Sequence, residues 1–247
     1  MSHLADRLGP KYFYSYTPAM SYYKATEMSR VDEGPAIASI FPIVRSDYVL
    51  LSRDYNDNRD EHQRLCLHVQ IQVPDWGLVD VFSVHLSLLE EARDNSVVEL
   101  WDVISNSSMS TGVTQILMGD MNAEPQESAM KFLLGQEIKH GKQTDFTDSW
   151  LAVHDEPEPR SNDTRVQEED LTFPSDAPSK RIDFILVRGK GAKAVRKTWL
   201  VGQDPKAGVG RDRNVTADEG HLGMVHKDSK LWASDHRAVV TRLGGPQ

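Results

Sequence analysis

Ile116-Leu117-Met118-Gly119-Asp120-Met121-Asn122-Ala123-Glu124-Pro125 is an apolar run that feeds a glycine, delivers two small polar side chains two residues apart, and stops at a proline suited to open a helix. The pattern predicts a strand whose carboxyl end carries a site. In extended backbone, residues i and i+2 share a face, so Asp120 and Asn122 are expected to project together, one anionic and one neutral. A carboxylate can hold a cation or position a water, and a carboxamide can donate to a phosphoryl oxygen without adding negative charge. The pair therefore suits a metal-bound phosphate. The same Gly-Asp-x-Asn order also fits an Asx-type turn, and this stretch alone does not separate the two readings.

On the amino-terminal side, Arg64 to Val73 alternates apolar and polar, Pro74-Asp75-Trp76-Gly77 supplies a turn, and Leu78 to His85 alternates again. This predicts a β-hairpin that ends on Ser83-Val84-His85-Leu86-Ser87. Ser87-Leu88-Leu89-Glu90 has capping-box spacing and opens a helix to about Asn106, with Leu89, Val97, Leu100, Trp101 and Ile104 as its core stripe. Strand Thr114 to Met118 follows, making a strand-helix-strand passage. Beyond the central stretch, a helix is expected from about Pro125 to Leu134, ended by Gly135. Lys180 to Val187, with Asp183 planted inside it, Ala192 to Val201, and Ser234 to Leu243, opened by Asp235-His236, read as strands.

Toward the start of the chain, Ser2 to Leu8 is a short helix candidate stopped by Gly9-Pro10, and Tyr12 to Tyr16 alternates like a strand. Tyr22 to Asp32 reads as a polar loop. Pro35 to Ile43 and Asp47 to Ser52 read as strands around a bend at Pro42, and Arg53 to Gln63 as a solvated hairpin tip. His154 to Asp170 is Pro- and acid-rich and reads as an exposed loop. The connector from Arg188 to Leu231 gathers Arg188, Lys190, Lys193, Arg196, Lys197, Lys206, Arg211 and Arg213, as a solvated loop or as a contact for phosphates. Hairpins alternating with helices predict a layered α/β sandwich, two mixed or antiparallel sheets flanked by helices.

A chain of 247 residues suffices for one sizeable domain, and residues 1–247 are expected to form it. Acidic residues outnumber basic ones 37 to 28, giving a net charge of -9, so no overall basic field draws the chain to nucleic acid or anionic membranes. A cation-dependent site can still bind phosphate locally. The single cysteine, Cys66, excludes an intrachain disulfide and reads as a buried small hydrophobe. No window approaches 18 apolar residues, and Met1 to Tyr16 lacks a basic patch followed by an apolar core. An intracellular chain, cytoplasmic or nuclear, without stable membrane insertion is expected. Asn162-Asp163-Thr164 fits the glycosylation acceptor pattern but carries little weight without a signal sequence. Nothing in the sequence sets the oligomeric state.

Taken in order, Ser83-Val84-His85-Leu86-Ser87, Gly119-Asp120-Met121-Asn122, Arg181-Ile182-Asp183-Phe184 and Ser234-Asp235-His236-Arg237 resemble the motif series of the endonuclease/exonuclease/phosphatase superfamily, the DNase I-like fold. Glu33-Gly34-Pro35-Ala36-Ile37 and Thr147-Asp148-Ser149-Trp150 are similar to two further blocks of that family, and the resemblance runs from about Leu4 to Leu243. It implies a divalent-metal-dependent phosphodiesterase, with Mg²⁺ or Mn²⁺ as cofactor and nucleic acid or another phosphodiester as partner. The implied roles are as follows. His85 and His236 flank the phosphate; Asp183 holds the His236 ring; Asp120 orients water or binds metal; Asn122 contacts a phosphoryl oxygen; Asp235 helps bind the cation; and Arg64 reaches a phosphate. The two strands that open the family fold, the second ending in its main metal-ligand glutamate, have no counterpart here. The expectation is an amino-terminally incomplete domain, with Glu27 or Glu33, or a second chain, as the other ways to fill that position. The alternative functions are a weak or inactive member that binds phosphate ligands or a protein, and a lipid phosphodiesterase or phosphatase.

Overall fold

The computed structural model describes residues 9–25, 28–53, 55, 57–107, 113–154, 169–204, 206–207 and 230–245. The chain runs β1 (Phe13–Tyr16), β2 (Met20–Lys24), β3 (Ser29–Glu33), β4 (Ala36–Ser39), β5 (Ile43–Leu50), β6 (Leu65–Val73), β7 (Gly77–His85), α1 (Glu90–Ser107), β8 (Thr114–Asp120), α2 (Ser128–Leu133) and β9 (Thr147–Asp148). It continues through β10 (Asp183–Arg188), a 3₁₀ turn at Gly189–Ala194, β11 (Val195–Val201), β12 (Lys206–Ala207), β13 (Lys230–Leu231) and β14 (Ala238–Leu243).

Period-two alternation in β6, β7 and β8 divides the apolar side chains between two faces of one sheet. Leu65, Leu67, Val69, Ile71, Val79 and Val81 pack on one side with Ile37 of β4. Cys66, Phe82, Val84 and Leu117 point to the other, where Val97, Leu100 and Ile104 of α1 and Met130, Phe132 and Leu133 of α2 cover them. A sheet buried on both faces is what the near-continuous apolar runs require. Its six strands stand in the order β5-β6-β7-β8-β10-β9, all antiparallel except β7 against β8, which run parallel because α1 carries the chain across between them. The pairs β1-β4, β2-β3, β11-β14 and β12-β13 complete a layered α/β sandwich.

Register places three polar residues in one row at one end of the sheet. His85 lies opposite Asp120 across β7-β8, and Asp120 lies opposite Asp183 across β8-β10. Just before that row the strands approach closely. Gly119 has φ +144, and a Cβ built on it would lie 1.9 Å from the Val84 carbonyl oxygen.

Several expectations are corrected. Tyr22 to Asp32 is the β2-β3 hairpin, not a loop, with Met20 opposite Glu33 and Tyr22 opposite Val31. The helix expected from Pro125 begins at Ser128, because Glu127 accepts from the Glu124 backbone N–H at 2.8 Å and closes a separate turn ahead of it. Ser87 does not make the reciprocal capping box. Its hydroxyl donates to Asp60 at 2.7 Å and accepts from Leu89 two residues on, so the helix starts at Glu90. Asp60, placed by sequence on a solvated tip, is thereby buried. Cys66 is buried, and burial pushes its thiol up to about 12. The helix at Ser2 to Leu8, Glu27, the Asn162-Asp163-Thr164 motif, Arg211 and Arg213 lie outside the described residues.

The paired strands β9 and β10 are locked by a buried ion pair. Arg181 donates to both carboxylate oxygens of Asp148, at 2.8 and 2.6 Å, and lies over the Phe184 ring. Asp148 also accepts from the Trp150 backbone N–H at 2.8 Å. Removing Asp148 leaves the buried Arg181 charge with Asp170 Oδ2, 3.9 Å from its Nε, as its remaining carboxylate among the described residues, so Asp148→Ala should lower unfolding stability by about 3–5 kcal/mol, read by urea titration. A loss under 1 kcal/mol would mean that Arg181 finds other solvation.

Candidate active site

The row of His85, Asp120 and Asp183 meets His236, which precedes β14. His236 Nδ1 donates to Asp183 Oδ2 at 2.9 Å. A carboxylate only accepts, so this bond fixes the proton on Nδ1 and leaves Nε2 to face the site. Nε2 of His236 lies 3.9 Å from Asp120 Oδ2, and Nε2 of His85 lies 3.4 Å from the same oxygen. Two imidazoles thus flank one carboxylate.

Backbone bonds hold the four segments together. Leu86 N–H donates to the Asp120 carbonyl at 3.0 Å, and Met121 N–H to the Ile182 carbonyl at 2.8 Å. The buried Thr172 hydroxyl accepts from the Ile182 and Asp183 N–H groups at 3.1 and 3.2 Å, while its carbonyl accepts from Arg237 N–H at 2.7 Å. Ser175 N–H donates to the Asp235 carbonyl at 2.7 Å. The segment before β10 is in this way zipped to the segment before β14, and Asp183 meets His236.

Asn122 departs from the extended geometry expected of it. Its φ is +47, its backbone N–H donates to Asp120 Oδ1 at 2.8 Å, and its Nδ2 donates to the Leu86 carbonyl at 2.9 Å. The Asx-type turn is therefore present, and it places Asn122 on the cleft wall and ties it to the segment just past β7.

Charge separates the two histidines. Burial lowers the pKa of His85, the nearby Arg64 guanidinium lowers it further, and the Asp120 carboxylate opposes them without prevailing. For His236, burial also disfavours the charged ring, but the hydrogen bond and charge of Asp183, together with Asp120 and Asp235, outweigh it and raise the pKa. Burial raises the Asp120 carboxyl, against the Asn122 N–H and His85. The site thus holds a histidine inclined to be neutral, a histidine inclined to be charged, and a carboxylate between them that lacks full compensation.

Around them opens a cleft of about 480 Å³, lined by Glu33, Arg64, His85, Asp120, Asn122, Asp235 and His236. All eight candidates from the sequence lie on this wall or, for Asp183, directly behind it. Sequence reasoning missed Phe173, whose ring lies 4.7 Å from that of His236, and Lys180, both lining the cleft. It also missed Arg93, which donates to the Leu88 carbonyl at 2.8 Å and to Glu127, bracing the segment after His85 against the turn after Asn122. The available signal for Arg93 was a cation on the core-facing stripe of α1, where an unpaired charge is not tolerated.

The donor set suits a hard divalent cation. Glu33, Asp120 and Asp235 offer carboxylate oxygens to the same cleft, and ligand atoms of Asp120, Asp183 and His236 lie within 4.8 Å of one another. Asp183 already accepts from His236, and Glu33 sits where the cleft runs into a second cavity, which leaves Asp120 and Asp235 as the carboxylates best placed for Mg²⁺ or Mn²⁺. The raised carboxyl of Asp120 marks an oxygen that a cation would stabilise.

A layered sandwich with this four-segment row defines the class, and sequence comparison agrees. Residues 2–236 match the model of the Endonuclease/Exonuclease/phosphatase family, and the chain belongs to that family, whose members are phosphoric ester hydrolases. Curated protein sequences give no match. Among solved structures, a mannosyl-6-phosphatase of Bacteroides thetaiotaomicron superposes with a TM-score of 0.64 at 16% identity, over 96% of this chain and 79% of that one. The truncated TDP2 of Caenorhabditis elegans superposes with a TM-score of 0.56 at 15% identity, over 95% of this chain and 75% of that one. The catalytic domain of human Nocturnin, solved with a bound sulfate anion, gives 0.52 at 17% identity, over 78% and 65%. At these identities the likeness is one of fold. No helix among the described residues is long and apolar enough to cross a membrane.

Proposed function

We propose that this chain is a divalent-metal-dependent phosphodiesterase and that its substrate is nucleic acid. The observation that carries the reading is the pair of histidines with oppositely displaced pKa values on either side of Asp120 Oδ2. Groups whose environments push their pKa values apart divide acid and base work between them. His85, kept neutral, accepts a proton from the attacking water that Asp120 orients. His236, whose pKa is raised and whose ring is held by Asp183, donates to the phosphoryl group or to the departing oxygen. Asn122 and Arg64 supply donors to the phosphoryl oxygens. Asp120 and Asp235 would hold the cation, which when bound offsets negative charge on the phosphate.

A second reading, a phosphatase or phosphodiesterase acting on a small phosphate ester, is favoured by the charge. The chain carries -9 overall, and of the basic residues lining the cleft Arg93 is spent on Glu127. A long polyanion would find little there to neutralise it.

Purified protein incubated with plasmid, single-stranded DNA, RNA and small phosphate esters tests both readings. Turnover is expected with Mg²⁺ or Mn²⁺, is expected to fall at least about a hundredfold in excess chelator, and is expected to return on re-addition of metal. Turnover that persists in chelator rejects the metal dependence. Binding without turnover of any ester would make the protein a phosphate-ligand module.

A further inference from the structure

The strand β5 stands at one end of the six-stranded order, with β6 on one side and, among the described residues, no strand on the other. The direction of its free backbone groups follows from its pairing. Leu51 N–H donates to the Arg64 carbonyl at 2.9 Å, and the ladder continues with Val49 opposite Cys66 and Asp47 opposite His68. Alternate residues of an antiparallel ladder turn both backbone groups to the same neighbour, so Leu51, Val49 and Asp47 face β6, while Leu50, Tyr48 and Ser46 turn N–H and C=O outward. Such an edge is a template for a further strand. A register shift between Ile43 and Arg45 bends the strand there, and the regular part of the edge is therefore Arg45 to Leu50.

Its side chains say which strand fits. Val44, Tyr48 and Leu50 are 55–56% exposed, apolar surface left open beside the free backbone. The only charges on β5 are Arg45 and Asp47, one of each sign on either side of Ser46. Arg45 Nε donates to Asp47 Oδ2 at 2.5 Å, and both side chains are about half exposed. If β5 pairs antiparallel with its own copy about a two-fold axis through Ser46, residue 45 of each copy lies opposite residue 47 of the other. Two opposite-charge pairs then form at positions without ladder bonds, where facing side chains approach most closely. Tyr48 meets Val44 of the copy in the same register, an aromatic residue against a β-branched one. Moving the axis to Asp47 would set two carboxylates face to face, and moving it to Tyr48 would leave each Asp47 against an apolar Val49.

We propose that two copies of this chain associate through β5, in the register centred on Ser46, to form one sheet that continues across both. The two-fold axis uses up both β5 edges, and the far edge of the sheet is β9, only two residues long, so assembly stops at two. No residue of Ile43–Leu50 lines the catalytic cleft, which stays open in each copy. The proposal stands apart from the hydrolysis put forward above.

Sedimentation velocity of the intact chain between about 1 and about 300 µM tests it. The average mass should rise from one chain toward two, with a dissociation constant on the order of tens of micromolar for so short a ladder. Arg45→Asp and Asp47→Arg each set like charges across the axis and should each weaken association at least about tenfold, with unchanged circular dichroism because both positions are exposed. An equimolar mixture of the two variants should associate again. In that mixture every arginine meets an aspartate of the other chain, whereas neither variant retains the pair within its own chain, so recovery reports contact between copies. A chain that stays single at the highest concentration overturns the proposal. Variants that associate as the parent does, a mixture that stays apart, or species larger than two copies overturn it as well.

Discussion

His236→Ala should lower kcat/KM by about a thousandfold while leaving the unfolding midpoint nearly unchanged. The ring is one-quarter exposed and packs only its side against Phe173, so its removal opens little core. Its chemical loss is expected to be large because general acid-base catalysis contributes about 10²- to 10⁴-fold, and the proposed role also makes His236 a donor to the phosphoryl group. The pH profile carries the sharper information. His85 must be neutral, and its pKa lies below the usual value of about 6.5, so kcat/KM rises as pH climbs through that depressed pKa. His236 must be charged, and its pKa lies above the usual value, so kcat/KM falls as pH passes it. The profile is therefore a bell that straddles the ordinary histidine range. Asp183→Asn removes the charge that raises His236 and should pull the descending limb to lower pH, leaving the ascending limb in place. A descending limb that ignores Asp183→Asn would show that His236 is not the group titrating there.

Gly119→Ala should cost at least about 4 kcal/mol, enough to leave most of the chain unfolded or insoluble if its total stability is ordinary. The cause is steric and local. A methyl group at this position would sit 1.9 Å from the Val84 carbonyl oxygen, and the backbone has φ +144, where side-chain-bearing residues are strained. Neither atom is the loose end of a side chain, so relief requires β7 and β8 to separate. Because His85 and Asp120 are the next residues along these strands, any surviving folded fraction should lose activity as well. Urea unfolding beside the parent measures the cost. A variant that unfolds at the parental midpoint would mean the strands are not so closely apposed.

Much of this was legible in the sequence, and for identifiable reasons. The alternation in 65–73 and 77–85, the helical stripe from Val97 to Ile104 and the apolar run into Gly119 each report a face turned to a core, and each element formed close to where it was expected, the helix starting at Glu90. Polar residues that end those runs were marked because a charge at the close of a buried strand must have a task or a partner. The β2-β3 hairpin was not legible, since its side chains are exposed or half-buried throughout and no face imposes a period. Asn122 misled because an isolated pattern gives no φ; its left-handed backbone goes with a bond to Leu86, a residue far off in the sequence just past the end of β7. Arg181 and Asp183 stand two residues apart in the sequence, yet Arg181 donates to Asp148 and Asp183 accepts from His236. Arg64 was singled out as a type, but only the structure shows that its Nε is buried without a hydrogen-bond partner.

The order of the segments has a consequence during synthesis. Chains emerge from the ribosome amino end first, and His85, Asp120 and Asp183 are joined by the sheet alone, whereas His236 arrives with the final strand. A nascent polypeptide extruded only through β10 would carry His85, Asp120 and Asp183 and still lack His236. The four-segment site is thus completed only once the segment that carries β14 has followed, so a chain cut short before residue 236 would lack one of the two imidazoles that flank Asp120.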